Sequence, residues 1–202
     1  MTSTLPLQEL QHQMNTCRLC LEKGYWIAPK AVYSGQAGAI VMTIGQAPGI
    51  TEVEAERPFN AGSGKRLFQW LEQAGFSEST FRARQYMTSV TKCYPGRAKS
   101  GSGDRVPSRE EQRLCLPYLW KEIELVNPLL MLPIGRLAIN LFFPARQSLA
   151  SIIGTSKVEN GRLIIPLPHP SGASRWHQSE ENRDRIQKAI DLIRTWKQQH
   201  LP

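Results

Sequence analysis

The chain has 202 residues, 41% of them hydrophobic and 21% charged, and carries a formal net charge of +8 at pH 7. That length is enough for one domain with a full hydrophobic core. No run is long and apolar enough to span a bilayer, and residues 1–13 lack the apolar centre of a secretory signal. Membrane and exported classes are therefore set aside, and the expected setting is the cytoplasm, at the nucleoid, where thiols stay reduced. A basic balance favours polyanion partners, above all nucleic acid, although a solubilising surface has the same sign.

In chain order, residues 39–44 (AIVMTI) read as a short buried strand ending at Gly45. Residues 65–74 place Leu67, Phe68, Leu71 and Ala74 on one helical face, with Gly75 as the stop. Residues 85–91 (QYMTSVT) form a second strand, ending at Lys92-Cys93. Ser108-x-x-Glu111 after Pro107 is a capping-box pattern that opens a helix to Val126, with Pro117 expected to kink it. Residues 129–134 (LLMLPI) form a third strand, residues 136–143 a short helix, and residues 163–167 (LIIPL) a fourth strand. Residues 179–198 carry Ile186, Ala189, Ile190, Ile193 and Trp196 at helical spacing. Strand and helix alternating in this way predict a three-layer α/β/α sandwich around a central four-stranded parallel sheet.

In such sheets the ligand crevice lies beyond the C-terminal ends of the strands. The segments to read are therefore Gly45-Gln46-Ala47-Pro48-Gly49, Lys92-Cys93, Gly135-Arg136 and His169-Pro170-Ser171-Gly172. Phe59 sits in a polar, glycine-rich stretch, either as a plug under a long loop or as a surface that stacks on a base. His169 just past a strand is well placed for an electrophile or proton donor. Ser171 and Gly172 offer a hydroxyl and backbone amides to a phosphate, and Arg175-Trp176 follow at once. Residues 98–105 (AKSGSGDR) read as a flexible basic loop.

The four cysteines are Cys17-x-x-Cys20, Cys93 and Cys115. Four thiolates suit tetrahedral zinc or an iron–sulfur cluster, and a centre bound by all four would staple the start of the chain to its middle. Zinc sites more often use two tight pairs, so the wide separation of the last two leans mildly toward a cluster, while zinc and four unrelated thiols, each a small buried hydrophobe, both stay open.

Five motifs in order now form a pattern: Cys17-Arg18-Leu19-Cys20; Gly45-Gln46-Ala47-Pro48-Gly49; Arg57-Pro58-Phe59-Asn60-Ala61-Gly62-Ser63-Gly64; Tyr86-Met87-Thr88-Ser89-Val90-Thr91-Lys92-Cys93 followed by Cys115; and His169-Pro170-Ser171. Together they resemble the uracil-DNA glycosylase superfamily, and most closely its iron–sulfur-containing family 4 enzymes, over most of the chain. The resemblance implies a single domain over residues 1–202 and a monomer acting on DNA that contains a damaged or deaminated base. The implied activity is a monofunctional DNA glycosylase, hydrolysing an N-glycosidic bond to begin base excision repair. It implies a 4Fe–4S cluster on Cys17, Cys20, Cys93 and Cys115. Phe59 would stack on an extruded base, with Ser89 at its edge and backbone around Ala47 and Gly49 holding base and water. His169 would donate a hydrogen bond to the departing base, and Gln46 would orient the water. Ser171, Gly172, Arg175 and Lys92 would contact DNA.

Three positions depart from the family pattern. Gln46 replaces a glutamate, and neutral Gln is a poor base; Glu52, Glu54 and Glu56 lie near enough in sequence to offer a carboxylate instead. Ser89 replaces an asparagine that reads the uracil edge with both a donor and an acceptor. Ala61 replaces a glycine, which reads as a minor change. The first two keep open an alternative, a weak or inactive iron–sulfur DNA-binding protein of the same fold. A nucleotide-using α/β enzyme is disfavoured, since neither a Walker A sequence nor a post-strand G-x-G-x-x-G occurs.

Overall fold

The computed structural model describes residues 4–99, 103–171 and 176–201. No helix among them is long and apolar enough to cross a membrane. The elements run α1 (Thr4–Thr16), α2 (Leu19–Glu22), β1 (Val41–Gly45), α3 (Ile50–Glu54), α4 (Ala61–Gln73), α5 (Glu78–Arg84) and β2 (Tyr86–Ser89). They continue as α6 (Arg109–Val126), β3 (Leu130–Pro133), α7 (Arg136–Ile139), α8 (Leu149–Ile152), β4 (Lys157–Glu159), β5 (Arg162–Ile164), a 3₁₀ turn at Trp176–Gln178, and α9 (Glu180–His200).

The sheet order is β2-β1-β3-β5-β4. β2, β1, β3 and β5 are parallel, as the sequence predicts, but β4 adds an antiparallel edge and makes the sheet five-stranded and mixed. The β4–β5 hairpin turns through Asn160 and Gly161, both at positive φ (51° and 75°), the conformation an Asn-Gly turn favours. β5 stops at Ile164, short of the expected 167. The pairing with β3 nevertheless runs on, since the Ile165 and Leu167 amides donate to the Met131 and Pro133 carbonyls at 3.0 and 2.9 Å; Pro166, whose missing N–H is not among the alternate amides that face β3, is tolerated there.

Alternation along the strands divides the core. Val41, Met87, Leu130 and Leu132 face α4, α5 and α9, while Met42, Ile44, Tyr86 and Met131 face α1 and α6. The helical faces match. Leu67 and Leu71 of α4, with Ile186, Ala189, Ile190 and Ile193 of α9, fill one layer, and Leu7, Leu10, Leu119 and Ile123 fill the other. The capping box at α6 forms: Ser108 Oγ accepts the Glu111 amide at 3.2 Å, and the Glu111 carboxylate accepts the Ser108 amide at 2.7 Å. α6 is continuous through Pro117. The expected helix over 136–143 is only the four residues of α7.

β1 lies between β2 and β3, so the chain runs to one side of β1 first and then crosses to the other. This reversal leaves a crevice at the C-terminal ends of β1 and β3, which are in register at Ile44 and Pro133.

Candidate functional site

A cavity opens at that crevice, lined by Gly45, Gln46, Ala47, Pro48, Glu52, Phe59, Thr88, Ser89, Ile134, His169 and Pro170, among others. Two glycines make room for its two rings. The Phe59 ring lies 3.1 Å from where a Cβ on Gly45 would stand, and His169 Cδ2 lies 3.1 Å from the same point on Gly135. A Cβ at either position would press on its ring, which would have to give by a few tenths of an ångström.

Phe59 takes a left-handed φ of 50°, rare for a bulky residue. Its amide donates to the Glu52 carboxylate, and its carbonyl accepts from Arg82 at 2.7 Å. His169 is half-buried, and desolvation lowers its pKa below the ordinary imidazole value. Its Nδ1 accepts the Ser171 amide at 3.2 Å. The neutral ring therefore carries its proton on Nε2, as a hydrogen-bond donor. Arg66 of α4 holds the following turn through the Pro170 carbonyl at 3.0 Å. Ser89 donates its hydroxyl proton to the Thr91 carbonyl at 2.7 Å, which leaves that oxygen only lone pairs to offer elsewhere.

All four cysteines are free, and all four line a second cavity, with Met14 of α1, Leu114 and Tyr118 of α6, and Pro95 and Pro107 between them. The N-terminal pair thus meets the middle of the chain. Among the described residues, no three His, Cys, Asp or Glu side chains converge tightly enough to share a single metal ion. Burial, followed by repulsion from the neighbouring thiols, pushes Cys20 up to about 11 and Cys93 up to about 12. Cys115 is raised by burial, with Lys92 opposing, and its sulfur accepts the Lys92 amide at 3.3 Å.

The family model for the uracil DNA glycosylase superfamily matches residues 32–194. The chain belongs to the uracil DNA glycosylase superfamily. It is 27% identical to the type-4 uracil-DNA glycosylase of Thermotoga maritima over 81% of this chain and 82% of that one. Similar matches are the type-4 uracil-DNA glycosylases of Sulfurisphaera tokodaii (28%; 83% of this chain, 75% of that) and Pyrobaculum aerophilum (30%; 76% and 72%).

Within this superfamily fold, the cavity brings together Phe59, His169, Gln46, Ala47 and Ser89. Two expected contacts are corrected. Gly49 does not hold a ligand with its amide, because that N–H donates to Glu52 Oε2 at 2.6 Å. Lys92 cannot reach DNA: its side chain is 2% exposed, and its ammonium is paired with Glu122 of α6 and bonded to Thr88 Oγ1 and the Ser89 carbonyl. Ala61 is also more than a minor change, since its φ of 53° is a glycine conformation. The Ser171 amide is bonded to His169, whereas Gly172 and Arg175, like residues 100–102 of the basic loop, lie outside the described residues.

Of the three acids the sequence offered as a carboxylate, Glu52 is the one that reaches the cavity, half-buried, and its use as an acceptor for two backbone amides is what sequence reasoning missed. Its position three residues after Gly49, at the start of α3, was the available signal. It missed Arg82 and the ring-supporting roles of Gly45 and Gly135, which depend on elements far apart in the chain.

Proposed function

We propose that this protein is a monofunctional DNA glycosylase, excising uracil or a related deaminated base from DNA and so initiating base excision repair. The observation that carries this reading is the pairing of Phe59 and His169 in one cavity, each seated on a glycine at the end of a central strand. A flipped base stacks on Phe59, and His169 Nε2–H donates to the carbonyl oxygen on which negative charge grows as the C1′–N bond breaks. The bonding pair leaves with the base, water oxygen bonds to C1′, and a water proton is released, giving free base and an abasic site. Gln46 orients that water without taking its proton, and the electron-poor C1′ needs no strong nucleophile. The names of the three relatives support uracil as substrate, and the basic chain suits a polyanion.

Cys17, Cys20, Cys93 and Cys115 would hold a 4Fe–4S cluster. The donor set fits: four thiols line one cavity, the ligand number of a 4Fe–4S cluster with one thiolate per iron, and the type-4 relatives favour the cluster over zinc. When bound, the cluster supplies positive charge that favours thiolates, and it ties the N-terminal segment to the rest of the single domain. No step of the excision passes through it.

The test is single-turnover excision with enzyme in excess, on duplex and single strands carrying uracil, hypoxanthine, xanthine or 5-hydroxymethyluracil, read as alkali-labile breaks. Uracil release is expected, from protein with a visible iron–sulfur absorbance that replacing Cys115 by Ala abolishes. No release from any substrate, with His169→Ala indistinguishable from wild type, would favour a DNA-binding protein that has lost the reaction.

A further inference from the structure

The stacking ring is held by charges from two helices. The Glu52 carboxylate accepts two amides, Gly49 N–H at 2.6 Å through Oε2 and Phe59 N–H through Oε1. Gly49 belongs to the loop after β1, which forms one wall of the cavity, and Phe59 forms another. From the opposite side, Arg82 of α5 donates to the Pro58 carbonyl at 2.9 Å and the Phe59 carbonyl at 2.7 Å. Arg82 is itself fixed by Glu78 at 2.7 Å and lies 4.3 Å from the centroid of Phe68. The peptide units on both sides of Phe59 are thereby fixed in a left-handed conformation that a phenylalanine does not adopt unaided.

We propose that Glu52 and Arg82 are positioning residues for base stacking, an acid–base clamp that holds Phe59 in its strained conformation and ties it to the β1 loop. This inference rests on the glycosylase reading for its catalytic consequence but not for the clamp itself. An ionised carboxylate accepts both amides; a protonated one has a weaker oxygen on one side and must release an amide. Burial raises the Glu52 pKa, the Gly49, Phe59 and Asn60 amides oppose this, and Asp104 raises it further. Asp104 approaches from the loop before α6, with Oδ2 2.9 Å from where a Cβ on Gly49 would stand and Glu52 Oε2 3.3 Å from the same point. Of the other nearby charged or titratable groups, His169 lines the same cavity, Arg57 is engaged with Asn60 Oδ1, and Arg82 bonds the far side of Phe59. The clamp therefore loosens at a higher pH than an ordinary glutamate would titrate, and relieving the Asp104 repulsion lowers that pH.

Two measurements on the full chain test this. Amide hydrogen exchange over residues 45–60 should accelerate at least tenfold in Glu52→Gln, whose amide group can accept at only one end, and stay unchanged in Asp104→Asn. Single-turnover uracil excision should fall at least tenfold in Glu52→Gln, but less than threefold when the same change is made in Phe59→Ala, because the clamp acts through that ring. Asp104→Asn should move the acid limb of the rate to lower pH with the same plateau. Unchanged exchange in Glu52→Gln, or full additivity with Phe59→Ala, overturns the proposal. A wild-type protein that excises no base would refute the glycosylase reading, while exchange would still decide the clamp.

Discussion

Replacing Glu122 by Gln should destabilise the protein more than any surface change, and the structure fixes the size of the effect. The Lys92 and Glu122 side chains are 2% and 0% exposed. The ammonium also donates to Thr88 Oγ1 at 2.8 Å, and the carboxylate also accepts from Tyr86 Oη at 3.0 Å and Thr88 Oγ1 at 3.0 Å. Glutamine keeps the shape but leaves the ammonium uncompensated in the core, where breaking one side of a buried pair costs about 3–5 kcal/mol. At about 2–4 °C per kcal/mol for a chain of this size, the midpoint of thermal unfolding should fall by roughly 6–20 °C. The assay is circular dichroism of anaerobically purified wild type and Glu122→Gln, with Lys92→Met/Glu122→Leu as the control. The double variant removes both charges and should recover to within about 2 kcal/mol of wild type. It also releases the Ser89 carbonyl, so excision should remain impaired where stability is restored. A Glu122→Gln midpoint within about 2 °C of wild type would refute the reasoning, because the lysine would then have found water or another partner.

His169→Ala should lower excision about 10²–10³-fold, the usual cost of one donor to a developing anion, with duplex affinity largely retained. Because the folded-state pKa of His169 lies below its unfolded value of about 6.5, the stability its neutral form contributes is present above that pH and is lost as pH falls through the folded pKa. Urea midpoints measured across that window should fall with pH less steeply in His169→Ala; parallel slopes would refute the assignment. Ala61→Gly relieves a left-handed φ of 53° and should stabilise the chain by about 1 kcal/mol, read from the urea midpoint at constant m-value; a loss would show that helix entropy at the start of α4 outweighs the strain.

Much of the fold was legible because periodicity is written locally. The parallel strands, the capping box at Ser108 and the stripe of α9 each show in a window of a few residues, and the structure keeps them within a few residues of the expected bounds. The β4–β5 hairpin escaped despite its Asn-Gly turn, because two strands of three residues, exposed or half-buried throughout β4, are too short to display a period. Lys92 was misread for a different reason. Between Thr91 and Cys93, past the expected end of a strand, a lysine reads as rim, and nothing nearby in sequence announces Glu122 thirty residues on.

By itself the sequence determined the order of the layers, the strand ends at which chemistry collects, and the set of cysteines, since each follows from residue type and near-neighbour spacing. Only the tertiary structure decided what each polar group is free to do. The Gly49 amide and the Ser89 hydroxyl are both engaged within the protein, Lys92 is neutralised in the core, and Glu52 faces inward to grip two amides. Those outcomes depend on which distant donor or acceptor burial brings within about 3 Å, and a buried polar group must take such a partner or bear the desolvation cost.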